Sequence, residues 1–235
     1  HVPRVFAALQ QARDSVKAAA NGFHGQLRIA LSDGMTPSRL PALLALCRQE
    51  EPEVEIRLFE VSLAQQLKGL HEDLYDVGLA QSANVGDGIL AVEAWSDPLH
   101  VALPARHPLL AYKRIPLDEV LRYPLVMGDP QFCEGYCQQI ERILRVADQK
   151  PLVAEQVMSC ELMMAMVAAG LALGLAGASQ IAGGREQGIV SRPLAGRPPM
   201  LTTYLLRLDR EPSERLSRFV ERVVAVPSCV TSSGR

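Results

Sequence analysis

Leu162-Met163-Met164-Ala165-Met166-Val167-Ala168-Ala169-Gly170-Leu171-Ala172-Leu173-Gly174-Leu175-Ala176-Gly177 is the stretch on which the fold turns. From Leu162 to Ala182 the chain carries no charge, a run about as long as a membrane-spanning helix. Gly170, Gly174, Gly177, Ser179 and Gln180 argue against a span, and Gly170 divides the run in two. The first part reads as a buried helix, capped by Ser159 and reaching Ala169, and the second as a buried strand over Leu171–Ala176. An apolar strand following a helix is the pattern of a parallel sheet covered on both faces.

The same alternation runs outward in both directions. Upstream, strands are expected over Gln26–Leu31, Glu53–Val61 and Val77–Ala80, with helices from the Ser32–Pro37 turn through Gln49 and from Leu63 to His71. Ile89–Trp95 and His100–Leu103 read as two further strands parted by Asp97-Pro98. Pro104, Pro108 and Pro116 mark a crossover, after which a second series begins. It comprises a strand Pro124–Met127, a helix Gln131–Val146, a strand Leu152–Val157 and the helix and strand quoted above. Ile189–Arg192 and Leu201–Leu208 are the last strands, and Glu214–Val224 is a closing helix before a polar tail at 227–235.

At the other end, Val5, Leu9, Ala12, Val16 and Ala19 in residues 1–22 have the heptad spacing of a helix seam. That seam fits self-association or a helix lying on its own domain. Two βα series, divided near 103 and rejoined near 201, predict an α/β chain of two similar Rossmann-like subdomains with a ligand cleft between them. Ligands in open α/β sheets sit beyond the carboxyl ends of strands, where helix N-termini offer N–H donors. The rule singles out five loops: 32–36, 62, 128–132, 159–160 and 177–179.

Composition narrows the function. With 235 residues, 48% hydrophobic and 21% charged, the chain can bury a core and is not disordered. A net charge of −2 gives no electrostatic footprint for nucleic acid or an anionic membrane. Five irregularly spaced cysteines (47, 133, 137, 160 and 229) suit a reducing compartment better than a disulfide framework. The start, His1-Val2-Pro3-Arg4, has neither an initiator Met nor a signal peptide. The expectation is a piece of a longer cytoplasmic protein.

Catalytic and cofactor motifs are missing. No G-x-S-x-G, P-loop, G-x-G-x-x-G or zinc spacing occurs, and the histidines at 1, 24, 71, 100 and 107 are scattered. Cys133 and Cys137 share a helix face near a ligand loop and Cys160 adjoins another; they read as small buried hydrophobes, with redox sensing the alternative. Asp33 and Asp129 read as turn caps, or as a carboxylate pair across the cleft. The expectation is a binding protein without cofactor or metal, and not an enzyme.

Four segments then resemble one family, the effector-binding portion of LysR-type transcriptional regulators. They are Gly25-x-Leu27-Arg28-Ile29-Ala30 with Leu40-Pro41-x-Leu43-Leu44 and Glu51-Pro52-Glu53-Val54-Glu55-Ile56; Leu67-x2-Leu70 with Tyr75-Asp76-Val77-Gly78-Leu79-Ala80; Leu103-Pro104-x2-His107-Pro108-Leu109; and Met166-Val167-Ala168-Ala169-Gly170-Leu171-Ala172-Leu173-Gly174-Leu175. The order and spacing of the four, over about residues 1–225, carry the resemblance. Glu51-Pro52 replaces the family's usual Tyr-Pro, and Gly177 stands where it usually has Pro.

The resemblance implies a type 2 periplasmic-binding-protein-like fold, with residues 1–22 as a linker helix. Subdomain I would comprise 23–102 plus 202–226, and subdomain II 103–201. It implies a small-molecule effector in the cleft, partnership with a second copy as dimer or tetramer, and DNA contact only through a winged helix-turn-helix not among these residues. Carried over by position, the effector-binding candidates are Ser32, Asp33, Met35, Thr36, Ser62, His100, Gly128, Asp129, Phe132 and Ser159. Converging helix N-termini favour a carboxylate, while Asp33 and Asp129, if they face the cavity, favour an amine. A transport receptor of the same fold is the alternative function.

Overall fold

The structure is a computed structural model that describes residues 25–32, 37–147, 149–183 and 188–226. The expected helix at 1–22 and the tail at 227–235 lie outside the described residues. β1 (Gly25–Leu31) pairs in parallel with β2 (Val54–Glu60) on one side and β3 (Val77–Ala80) on the other. The connections are α1 (Leu40–Glu50) and α2 (Leu63–His71), the crossovers that parallel pairing requires.

A second parallel trio repeats the plan. β5 (Leu125–Gly128) pairs with β6 (Val153–Val157) and with β7 (Leu173–Gly177), through α4 (Glu134–Leu144) and α5 (Cys160–Ala168). The run that opened the sequence analysis divides at Gly170 as read, but its strand begins at Leu173 instead of Leu171, which is exposed in the turn. α5 ends at Gly170, whose φ of 73° sets the left-handed turn; its N–H reaches Val167 O, and Leu171 N–H reaches Met166 O. No described helix is long and apolar enough to cross a membrane.

Two long strands join the trios. β4 (Ile89–Pro104) and β9 (Met200–Leu208) run antiparallel, and β9 also pairs antiparallel with β3. β4 changes partners between Pro98 and Leu99, from β9 to β7 and to β8 (Ile189–Pro193). The sequence reading of two strands broken at Asp97-Pro98 is therefore corrected to one. Pro98 lacks a ladder donor, but it falls where the partner changes, and Leu99 N–H is taken up by Pro199 O at 2.8 Å. The all-parallel expectation is corrected likewise: two parallel trios are bridged by an antiparallel pair.

Three helical pieces had no clear signal: a 3-10 turn at Pro108–Ala111, α3 (Leu117–Leu121) and α6 (Ala178–Ala182). None spans more than five residues, too short for a period to register. His107 caps the first, its Nδ1 accepting from Leu109 N at 3.2 Å, which gives the His107-Pro108-Leu109 motif a structural purpose.

Each lobe has its own core. Leu27, Ile29, Leu43 and Val77 pack under α1 and under α7 (Glu214–Ala225), while Leu63, Leu70 and Leu206 fill the opposite face of the same sheet. The second core gathers Leu99, Leu125, Tyr136, Ile140, Met163 and Leu175. Glu51, buried where the family pattern has Tyr, meets Arg218 and Arg222 of α7, and Arg222 also reaches Glu50 at 2.6 Å. Burial alone would raise the Glu51 carboxyl, but hydrogen bonds and charge from the two arginines outweigh it and hold it below its ordinary value.

One buried amide ties the lobes together. Gln139, on α4, donates to Gln81 O at 2.6 Å and Thr202 O at 2.8 Å, and accepts from Thr202 N at 2.8 Å. Truncation would strand all three backbone groups. Gln139→Ala is expected to lower the unfolding free energy by about 2–4 kcal/mol. Urea denaturation checks this, with an unchanged slope showing that the native state stays compact.

Candidate functional site

The carboxyl ends of β1 and β2 in the first lobe face the N-termini of α4 and α5 in the second. Between them lies a cleft of about 460 Å³, within the range of small-molecule sites. Ser32, Ser62, Phe132 and Ser159 line it, so four residues singled out from sequence come from four separate loops to one place. Asp33, Met35 and Thr36 lie outside the described residues.

Gly128, Asp129 and His100 are not among the residues lining this cleft. Gly128 borders a separate hollow of about 450 Å³ with Cys137 and Glu141. Asp129 caps its own turn, accepting from Gln131 N at 2.8 Å, while its backbone N–H goes to Val157 O at 2.8 Å. His100 sits in the second sheet, its Nδ1 2.7 Å from the Ser191 hydroxyl. Burial is the main cause holding its imidazole below the ordinary value; Arg114 adds to the effect and Asp97 opposes it.

The lining serines differ in what they have left to offer. Ser62 forms a closed capping box with Gln65: its oxygen accepts from Gln65 N at 3.3 Å, and its backbone N–H and hydroxyl both face Gln65 Oε1. Ser159 accepts from Leu162 N at 3.3 Å, which leaves its hydroxyl proton for another acceptor. Ser32 is buried at the end of β1, and its N–H reaches Leu79 O at 3.1 Å.

Sequence reasoning missed Glu60, Val61, Gln65, Met158 and Glu161, which complete the described lining with Leu31. Met158 and Phe132 are exposed hydrophobics at its mouth. Glu60 and Val61 close β2, one step before the Ser62 that was named. The signal was adjacency to a strand end, which selects positions rather than residue types.

Among the described residues no group of His, Cys, Asp or Glu is placed to hold a metal ion. Cys133, Cys137 and Cys160 are buried, and Cys137 Sγ lies 3.2 Å from Gly128 O. Burial, aided by Glu161 and Cys133, pushes the Cys160 thiol up to about 12. Such a thiol carries almost no thiolate at neutral pH and is unreactive.

Gly177, in place of the family's usual Pro, is explained by a neighbour. A Cβ at Gly177 would overlap the Asp97 carboxylate, and the Gly177 N–H reaches Gln180 Oε1 at 3.2 Å. Proline would add the clash and delete the donor. Asp97 in turn accepts from Ser179 N at 3.1 Å, and the Ser179 hydroxyl bridges Asp97 and the Ser38 hydroxyl 2.8 Å away. Ser38 precedes α1 and Ser179 lies on α6, so this chain of bonds crosses from one lobe to the other.

A family profile described as the LysR substrate binding domain matches residues 20–227. Among curated proteins, the HTH-type transcriptional regulator YnfL of Escherichia coli strain K12, described as uncharacterized, is 26% identical over 171 residues, 71% of this chain and 58% of its own length. The chain therefore spans little more than half of that relative. Among solved structures, full-length CbnR with its target DNA superposes with a TM-score of 0.80 at 21% identity, covering 95% of this chain and 78% of that one. The BenM effector binding domain with benzoate gives 0.74 at 20% identity, covering 87% and 92%. At these identities the likeness establishes the fold.

Two measurements follow from the site chemistry. Mass-spectrometric mapping with iodoacetamide at pH 7.5 should leave Cys47, Cys133, Cys137 and Cys160 unlabelled until the chain is unfolded. His100 and His107 are both held below 6.5 by burial. The unfolded chain thus binds protons that the folded chain does not as pH falls below about 6.5. Stability should decline from pH 7 towards pH 5, and His100→Gln should flatten part of that decline in pH-dependent urea titrations.

Proposed function

Because the chain belongs to the LysR substrate-binding domain family, we propose that it is the sensing part of a transcriptional regulator, taking a small effector into the cleft between its lobes. The observation that carries this reading is the convergence of Ser32, Ser62, Phe132 and Ser159, from both lobes, on one cleft of about 460 Å³. An occupant touching both walls stabilises the arrangement that brings them together, which is how a ligand shifts a conformational equilibrium. BenM, whose effector is named as benzoate, and CbnR, seen with its target DNA, support both halves of the proposal by analogy. The curated relatives are regulators, which favours this reading over a transport receptor.

In the proposal the regulatory subdomains are 23–102 plus 202–226 and 103–201, and residues 1–22 link them to a DNA-binding part. The whole protein works in the cytoplasm as a dimer or tetramer, and the cleft binds rather than catalyses.

The effector proposed is a small carboxylate. Apolar Leu31, Val61, Phe132 and Met158 suit a hydrocarbon body, and the spare Ser159 proton and the N-terminus of α5 suit an anionic end. A thermal-shift screen of small aromatic and aliphatic carboxylates is expected to raise the melting temperature. With the best hit, Ser159→Ala and Phe132→Ala should each weaken binding about tenfold or more by calorimetry. Ser62→Ala should cost about 1 kcal/mol of stability and little affinity, because that hydroxyl is spent on its cap. Affinity unchanged in both Ser159→Ala and Phe132→Ala would remove the ligand from this cleft.

A further inference from the structure

Where the lobes meet the strands that join them, one buried cation has no ion pair among the described residues. Arg39, at the N-terminus of α1, is 6% exposed. Its Nη2 donates to Ser96 O at 3.0 Å, and among the described residues this is the only hydrogen bond of the guanidinium. Its Nε is buried with no partner. Among the described residues, five N–H donors and a permanent charge are thus met by one carbonyl, whereas buried charges are ordinarily paired.

Arg39 lines a cavity of about 30 Å³, shared with Gln81, Trp95, Asp97, Gln180 and Thr203. That volume holds about two waters, a halide ion or the head of a carboxylate. Asp97 is the only acid of the lining, but it makes no ion pair with Arg39. Its carboxylate is turned to the backbone N–H and hydroxyl of Ser179. Gln180 and Trp95 close the walls, with an amide and an apolar face.

We propose that this cavity is an anion site, distinct from the effector cleft, which takes a monovalent anion of halide or carboxylate size against the Arg39 guanidinium. Arg39 comes from the first lobe, Gln180 from the second, and Trp95 and Asp97 from β4 between them. An anion held there favours the arrangement in which the lobes share the cavity, so its occupancy biases the hinge. The size of the cavity and the nearby Asp97 exclude bulky and divalent anions. A free inorganic ion and the carboxylate of an organic molecule offer the same chemistry.

The test uses the chain as it stands, in a buffer free of small anions. Sodium chloride and sodium formate are titrated against sodium gluconate at equal ionic strength. Chloride and formate are expected to raise the melting temperature to a plateau, and gluconate, too large for the cavity, is not. Arg39→Met, which keeps the apolar stem and removes the charge, should abolish the plateau or shift its midpoint about tenfold or more. Asp97→Asn should lower the midpoint by removing a like charge. Chloride line broadening by NMR gives a second readout, present with the native chain and lost with Arg39→Met. Equal responses to chloride and gluconate, or an unchanged chloride response in Arg39→Met by both readouts, would overturn the proposal. Formate, small enough for the cavity, then separates the sources: formate displacing chloride at concentrations below the chloride midpoint assigns the site to an organic carboxylate, and displacement only well above it assigns the site to a free inorganic anion. Arg39 does not line the larger cleft, so a response lost in Arg39→Met belongs to this cavity whether or not that cleft binds an effector.

Discussion

Two separately packed lobes hang on a single antiparallel pair of strands, and the geometry of everything between them depends on how that pair is held. β4 and β9 are paired from Ile89 to Pro98 on one and Leu208 to Met200 on the other, with a register shift between Glu93 and Trp95. A two-strand connection resists stretching but bends and twists readily, because no third strand fixes its faces. The Gln139 amide supplies what the strands lack. It is rooted in one lobe, grips the loop that ends β3 in the other, and takes both hydrogen-bonding groups of Thr202 on β9. In a low-dielectric interior such a network is satisfied as a unit or costs as a unit. The hinge therefore favours discrete arrangements over a continuum.

The bonds at the lobe boundary are of unequal strength, and the inequality locates the motion. Gln139 is buried and fully matched. Ser38, which meets the Ser179 hydroxyl, is exposed, and Ser82, which meets Gln138 at 3.3 Å, is joined by a marginal bond. Opening the cleft costs little at those two contacts and much at Gln139. A rotation about the Gln139–Thr202 contact would separate Ser32 and Ser62 from Phe132 and Ser159 while leaving both cores intact. The Arg39 cavity, which Gln81 and Thr203 line, adjoins that contact.

Much of this was legible in the sequence, for reasons that particular residues make plain. The Gly170 break and the Ser62 and Ser159 caps are local signals, each set within a few residues of chain, and each appears where its chemistry placed it, while the buried strand expected at Leu171–Ala176 is found at Leu173–Gly177. The family resemblance rests on the same short segments. The continuity of β4 was not legible, because Asp97-Pro98 carries the local signature of a break and only the change of partner makes proline harmless there. Gln139 and Arg39 were invisible for a related reason. A glutamine on an amphipathic helix and an arginine at a helix start read as solvent-facing until the tertiary fold buries them. Of the described site candidates, Ser32, Ser62, Phe132 and Ser159 came together, whereas Gly128 and Asp129, also named for lying beyond a strand end, border other surroundings. His100, inside a strand, is engaged with Ser191 instead.

The pattern of donors in the cleft bears on what it selects. Where a serine caps a helix, its oxygen is already an acceptor, so what remains for a ligand is at most the hydroxyl proton. Ser159 keeps that proton and Ser62 has given it to Gln65. The wall nearest α5 therefore presents a donor backed by a helix N-terminus, and the wall nearest α2 presents apolar surface from Leu31 and Val61 beside a Ser62 hydroxyl already engaged by Gln65. Glu60 and Glu161, both exposed, add negative charge at opposite walls. Water screens these two carboxylates more than it screens the buried end of the cleft. The charge of a small anion is best placed deep against α5, with its body towards Phe132 and Met158 and its length limited by the acids. A dianion with charge at both ends would meet one of them. On the proposed carboxylate reading the asymmetry favours a monocarboxylate over a dicarboxylate, and it arises from which of two capping serines was left with a free proton.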